Sequence, residues 1–410
     1  MESTIPTAPT PWRRDAKVIG LVSIAHSISH FSQLLLAPLF PWLKDAFGVG
    51  YAELGFLMTI FFIVSCITQA AAGFWVDRHG PRPVLIVGLT LIGLSALGYA
   101  ASTSYLMLAL FSVSAGIGNG VFHPVDYTLL NRKIGKTRLG HAYSAHGISG
   151  SLGWALAPAL LVPLTLAYSW RVALVVAAGL VFAVLVMVLL NRETSSVEPL
   201  PATPAGPGAV EGAMDFLRIP AVWMCFGFFF FYAGALSVVQ SFAAESARIL
   251  HAVPAALAAI CLSIYMVSAA IGMVGGGFLA ASPARCERVV GAGFGIAALI
   301  ALAVGFADLP PLAVPVMFGL MGLAAGTAGP SRDLIVKRSS PDNATGRVYG
   351  VVYAGLDIGQ AVVPLLVGRL MDLHQYRSVW LVLALLQGVL IVSAFSVRRV
   401  RRTLAAPLAA

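Results

Sequence analysis

The chain has 410 residues, of which 59% are hydrophobic and only 10% charged, with a mean hydropathy of +0.88. A water-soluble domain carries about 25% charged residues, so this much apolar surface requires lipid as its solvent and excludes a soluble enzyme. The net charge of +9 would suggest a nucleic-acid partner in a soluble protein, but the bases here sit in short segments at the ends of apolar runs, where they report topology instead.

Twelve apolar runs reach or nearly reach the ~20 residues that a helix needs to cross the hydrocarbon. They cover residues 18–43, 52–76, 84–102, 105–130, 141–166, 172–190, 221–247, 254–281, 289–307, 311–336, 347–371 and 378–397. The fold expected is an all-α membrane protein of twelve transmembrane helices in two six-helix pseudo-repeat bundles. The short basic stretch Pro11 to Lys17 precedes a run long enough to span, so it reads as an uncleaved first helix.

The first span carries Ser23, His26, Ser27, His30 and Gln33 within about 120° of one face. His26 and His30 lie one turn apart, roughly 12–18 Å from the basic end at 1.5 Å per residue. Ionisable groups at that depth are functional candidates, and histidine titrates in the range that suits proton carriage. The structural alternative is a neutral pair bonded to serines of a neighbouring helix. No acidic or thiol ligand lies nearby in sequence, so no metal is expected at the pair.

Between the second and third spans, Gly73-Phe74-Trp75-Val76-Asp77-Arg78-His79-Gly80-Pro81-Arg82-Pro83 forms a charged hinge. Asp77 and Arg78 stand where the run ends, and Gly80 with the two prolines turns the chain. The fourth span places Asn119, His123 and Asp126 on one narrow face toward the basic end, and His146 enters on the next span. These residues suit a proton relay or gate, or equally a brace for the adjoining loop. Gly135-Lys136-Thr137 resembles the end of a phosphate loop. Leu130 occupies its first glycine position and no strand precedes it, so ATP is not the driving ligand.

Residues 191–220 contain Pro199, Pro201, Pro204 and Pro207 and form a flexible cytoplasmic linker. It separates an N-terminal six-helix bundle, 1–190, from a C-terminal one, 221–410. The seventh span offers Ser237, Gln240, Ser241 and Glu245, with Arg248 positioned to pair with Glu245 at the surface. The eleventh carries Tyr349, Tyr353, Asp357 and Gln360 at helical spacing. Asp357 lies roughly 15 Å deep and is expected to be the only carboxylate near the bilayer centre. It suits proton exchange or, alternatively, helix packing. Cys66, Cys225 and Cys261 lie in apolar runs and Cys286 in a loop, so no structural disulfide is expected.

The halves repeat. An offset of 206 aligns Gly116 with Gly322, Gly120 with Gly326, Pro124 with Pro330, Arg132 with Arg338, Tyr143 with Tyr349, Gly153 with Gly359 and Pro158 with Pro364. An offset of 204 aligns Gly73-Phe74 with Gly277-Phe278. With the N-terminus inside, 21 of the 26 Lys and Arg fall on cytoplasmic segments, which places both termini in the cytoplasm.

With these features the chain resembles the major facilitator superfamily over nearly its whole length. The hinge is similar to that family's loop signature at Gly73, Asp77, Arg78, Gly80 and Arg82, with Pro81 departing from it. Gly120-Val121-Phe122-His123-Pro124 and the Gly-rich fifth span resemble the fosmidomycin-resistance branch, which exports drugs. Where that branch tends to have Glu, this chain has Val125-Asp126. The fourth-span arginine of many proton antiporters is absent, and Gly150, Gly153 and Pro158 only loosely echo their fifth-span motif. The resemblance implies that Asp77 acts as a conformational latch, holding the inward side shut at the N-terminus of the eleventh span, with Arg138 a candidate partner.

The sequence is therefore read as a proton-coupled secondary transporter of the bacterial-type inner membrane, not an enzyme. It is expected to work by alternating access as a monomer without cofactors and to export a small organic molecule. The substrate or proton residues are His26, His30, Gln33, Asn119, His123, Asp126, Gln240, Tyr353, Asp357 and Gln360. The alternatives are a symporter importing a small organic anion and, in a different class, a non-transporting membrane sensor or enzyme.

Overall fold

The computed structural model describes residues 12–135, 138–197, 220–280, 286–339 and 345–405. Within the helices, the side chains of residues 74, 77, 140, 143, 220, 221, 280, 332–339, 345–353 and 394–405 lie outside that description. The described chain is helical with no strand, and twelve helical segments are long and apolar enough to cross a membrane. Large apolar side chains such as Ile67, Leu106, Leu299 and Phe278 stand exposed on the outer surface. In water they would form sticky patches; here they are the lipid-facing wall.

Most spans are single helices, among them Tyr51–His79, Pro81–Ala101, Leu139–Ala167, Trp170–Leu190, Ala255–Ala280 and Thr345–Asp372. Three expected helices are interrupted. The first ends at Gln33, passes through buried Leu34–Leu36 and a short turn, and resumes at Phe40–Phe47. Pro38 explains the break, since its ring opposes the carbonyl four residues back, at Leu34. The fourth consists of Tyr105–Gly120 and Phe122–Lys133, parted at Val121. Pro124 there opposes the Gly120 carbonyl. The seventh runs from Pro220–Val238 through a π-turn at Val239–Ala243 into Ala244–Leu250. Such turns widen a helix locally and often present a functional side chain; this one carries Gln240.

The repeat read from the sequence has a packing counterpart. A Cβ on Gly116 or Gly120 would lie 2.6 Å from the carbonyl oxygen of Phe61 or Ser65, so the glycines let the fourth span approach the second backbone to backbone. Gly322 and Gly326 hold the tenth span against the carbonyls of Tyr265 and Ala269 on the eighth in the same way. The glycines are offset by 206 residues and their partners by 204. Gly153 against Ser27 recurs as Gly359 against Phe230.

Between the halves, the second span packs on the eleventh and the fifth on the eighth. The repeat exchanges these two pairs, as a pseudo-two-fold axis requires. The halves meet tightly at the end opposite the chain termini, called here the far end. A Cβ on Gly55 would lie 2.7 Å from the Pro364 carbonyl oxygen, and Thr59 Oγ1 donates to the Ala361 carbonyl at 2.5 Å. Toward the near end, Gly73, Gly147, Gly275 and Gly277 face open space.

Candidate functional site

Of two apolar clusters, one lies within the first half and the other runs through both halves. Ile28 of the first span belongs to one and Phe31 to the other. Between them lies a polar layer. Asp126, fully buried, accepts at a single oxygen, Oδ2, from His26 Nδ1 at 3.0 Å and His146 Nε2 at 3.2 Å. With the carboxylate ionised, each ring donates an N–H to it. The His26 and His146 rings stack at 3.5 Å with 25° between their planes. His30 lies 4.4 Å from His26 and 4.2 Å from Trp154, centroid to centroid, and His123 lies 5.4 Å from His26. Gly150 makes room, since a Cβ there would sit 2.8 Å from His30 Cε1. Neither His30 ring nitrogen, nor Asp126 Oδ1, has a hydrogen-bond partner among the described residues.

This arrangement corrects one expectation. Asp357 is not alone at depth: Asp126 shares the level of His26, on the far side of a 100-residue sequence separation.

A second network continues toward the far end. Trp154 Nε1 donates to Gln33 Oε1 at 2.9 Å, and Asn119 Oδ1 accepts from Ser29 Oγ at 2.8 Å. Gln33 Nε2 approaches the same oxygen at 3.5 Å, and Asn119 Nδ2 donates to Ser65 Oγ at 2.9 Å. The polar stripe of the first span is thereby bound to the second, fourth and fifth.

One chain of contacts crosses to the other half. His123 Nδ1 donates to Gln69 Oε1 at 2.7 Å, and Gln69 Nε2 reaches Asp357 Oδ2 at 3.5 Å. Farther along, Gln360 Nε2 donates to buried Gln240 Oε1 at 3.1 Å. Gln240 also lines a cavity of about 160 Å³ at the far end, beside Pro38, Trp42, Glu245 and Arg248. Tyr353 lies outside the residues with described side chains.

The far-end closure is polar as well. Asp372 accepts from the backbone N–H of Tyr51 at 2.7 Å and of Ala52 at 2.9 Å. Tyr51 Oη donates to Glu245 Oε1 at 3.3 Å, and Glu245 receives two bonds from Arg248, at 2.7 and 2.8 Å. The expected surface pair is thus also part of a contact between halves.

The hinge residues are spread out. Gly80 ends the second span with φ +79°, a conformation that favours glycine, and a Cβ there would lie 2.9 Å from the Val197 carbonyl oxygen. Arg78 is exposed, and Arg82 donates to the Leu189 carbonyl at 3.1 Å. Arg138 donates to buried Asp15 at 2.7 Å. The Asp77 side chain lies outside the description, and with it the expected latch contact.

The sequence reading missed Trp154, Ser29, Ser65 and Gln69 as network members. Gln69 carried a signal, being the sole amide side chain in Tyr51–His79. The donor atoms of His26, Asp126 and His146 lie within 4.8 Å of one another, as do those of His26, His30 and His123. Imidazole and carboxylate are ligands that zinc-like ions accept. The stacked rings of His26 and His146 would first have to splay, because a shared ion needs each ring edge-on.

The sequence profile of the Major Facilitator Superfamily matches residues 22–319 and 285–409. The fosmidomycin resistance protein of Escherichia coli K12 is 28% identical over 186 residues, 45% of each chain. An uncharacterised transporter of the same superfamily from Bacillus subtilis, YfnC, is 30% identical over 152 residues, 36% of this chain and 37% of that one. A multidrug resistance protein B homolog of Mycobacterium tuberculosis is 28% identical over 155 residues, covering 38% and 29%. The matches thus span less than half the length of these relatives. In structure, the chain superposes on a bacterial homolog of the human lysosomal transporter Spinster, in its inward-facing and occupied conformation. The TM-score is 0.76 at 16% identity, over 96% of this chain and 98% of that one. The nucleoside transporter NupG gives 0.72 at 14%, over 93% and 99%.

Proposed function

Because the chain belongs to the Major Facilitator Superfamily, we propose that it is a proton-coupled secondary transporter that exports a small organic molecule by alternating access. The observation that carries this reading is the chain His123–Gln69–Asp357, which joins the buried histidine–aspartate layer of one half to a carboxylate of the other. A proton can reside on Asp126 or on either ring bonded to it with little movement of heavy atoms. Gaining a proton at Asp357 weakens its hold on Gln69, because a carboxylate accepts more strongly than a carboxylic acid. Protonation is thereby linked to a contact that must break when the halves rock. The aromatic and amide groups beside it, Trp154, Gln33 and Asn119, suit the polar atoms and rings of an organic cargo. Export as the direction follows the fosmidomycin and multidrug resistance proteins to which the chain is similar.

The test uses purified protein in proteoliposomes. A thermal-shift screen of antibacterial compounds, beginning with fosmidomycin, supplies the transported probe, since a bound ligand raises the melting point. Asp357→Asn is expected to keep substrate exchange but lose accumulation driven by a pH gradient. His26→Gln with His30→Gln should alter the pH dependence or weaken binding. Unchanged gradient-driven transport in both variants would refute proton coupling at these residues. Binding without any transport by the wild type would favour a sensor.

A further inference from the structure

Away from the transport site, the near end of the first half holds a cavity of about 820 Å³. It is lined by Arg13, Arg14 and Lys17 of the first span, Arg132 and Lys133 at the end of the fourth, and Glu193 of the short helix Arg192–Ser195. Five cationic side chains therefore converge with one carboxylate. The cluster is built rather than merely scattered along a loop. Lys133 Nζ donates to the Glu193 carbonyl, tying the short helix to the fourth span. The hydroxyl residues Thr194 and Ser196 add further donors to the lining, and Val18 and Val197 are its apolar members. Apolar side chains flank the basic cavity in sequence: Trp12 is 67% exposed and Leu190 79%. Tryptophan at the end of a span marks the level of the lipid headgroups.

We infer that this cavity binds the phosphate headgroup of an anionic phospholipid. Five bases share the lining with the single carboxylate of Glu193, so its field is positive, and guanidinium forks match phosphate oxygens two at a time. Basic pockets between spans at the membrane surface have the chemistry for such headgroups. The exposed Trp12 and Leu190 provide the apolar border along which acyl chains lie. A soluble phosphate would use the bases but not this border. A bound headgroup would staple the first span, which carries His26 and His30, to the fourth, which carries Asp126.

Native mass spectrometry and thermal unfolding of the full chain test the assignment in nanodiscs of phosphatidylcholine, with and without phosphatidylglycerol. The wild type should retain phosphatidylglycerol in preference to phosphatidylcholine and melt higher in its presence. The triple variant Arg13→Gln, Arg14→Gln, Lys17→Gln should weaken that preference by at least about tenfold, given that each base near a membrane surface contributes about fivefold. Arg132→Gln with Lys133→Gln, from the opposite wall, should weaken it too. Both sets lie on exposed or half-exposed positions, and unchanged melting in phosphatidylcholine alone confirms that they fold. Arg398→Gln with Arg399→Gln, at the same membrane end, serves as control. An equal loss in the control would show general surface attraction and overturn the site. No preference in the wild type would overturn it as well. Stabilisation by inorganic phosphate in lipid-neutral discs, matching that of phosphatidylglycerol, would overturn the lipid as its occupant.

Discussion

The Asp372 carboxylate caps the helix that begins at Tyr51, accepting from the Tyr51 N–H at 2.7 Å across 321 residues of sequence. The second span thus starts on an acid from the end of the eleventh. The superfamily resemblance implies the reverse at the other end of the same pair, with Asp77 of the second span at the start of the eleventh. One interaction, a carboxylate on a helix N-terminus, would then serve each closed state in turn.

Asp372→Asn should loosen the far end. The charge on a helix N-terminus contributes ~0.3–1 kcal/mol when exposed and up to ~2 when partly buried, so the open population should rise by roughly two- to thirtyfold. Spin-label distances between Ala46→Cys and Gln375→Cys, both exposed at that end, would report it as a longer component. A distance distribution identical to wild type would remove Asp372 from the gate.

Gln69→Leu should uncouple the halves without unfolding them, because Gln69 is only half buried. It leaves His123 and Asp357 chemically intact but removes the amide between them. Substrate exchange should persist while accumulation under a pH gradient falls toward background. If accumulation survives, the bridge is not the coupling element.

Asp126 separates structure from chemistry. Asp126→Asn keeps an oxygen for His26 and His146 and should melt near the wild type. Asp126→Leu strands both imidazoles in a buried layer, at about 1–3 kcal/mol for each group left unsatisfied, and should melt clearly lower. Equal melting of the two variants would mean that the rings find other partners.

The sequence made the spans, the polar stripe of the first helix and the repeat legible, because each rests on local periodicity or a fixed offset. It did not reveal that His26 meets Asp126. Periodicity assigns residues to a face but not to the facing helix. Asp126 read only as lying toward the basic end of the fourth span, because nothing along its own helix shows that it meets His26. Glu245 read as a surface charge because its partner in the other half, Tyr51, is 194 residues away. Proline breaks at Leu34–Leu36 and Val121 were written in Pro38 and Pro124, yet the hydrophobic runs cross them without a gap.

The membrane orientation is open to a direct check. With the bases inside, an impermeant thiol reagent added from outside, in a cysteine-free background, should label Ser169→Cys, which lies between the fifth and sixth spans. It should leave Pro204→Cys unlabelled. The opposite pattern would invert the topology and, with it, the reading of the far end as the outer gate.

The glycines provide the sharpest test of the repeat as a packing rule. Gly153→Ala drives a methyl into the Ser27 carbonyl, and Gly359→Ala does the same at Phe230 in the other half. Backbone cannot yield as a side-chain tip can, so each variant must push two helices apart, at roughly 1–3 kcal/mol. Gly147 and Gly227 lie in helices of the same kind, but a Cβ there meets nothing within 4 Å. Alanine at those positions should be neutral or stabilising by up to ~1 kcal/mol through helix propensity. Melting temperatures of the four variants in one detergent should therefore fall into two pairs. The members of the lowered pair should match each other, because the two contacts are copies. A lowered Gly153→Ala beside an unchanged Gly359→Ala would show that the halves share a sequence pattern but not its packing.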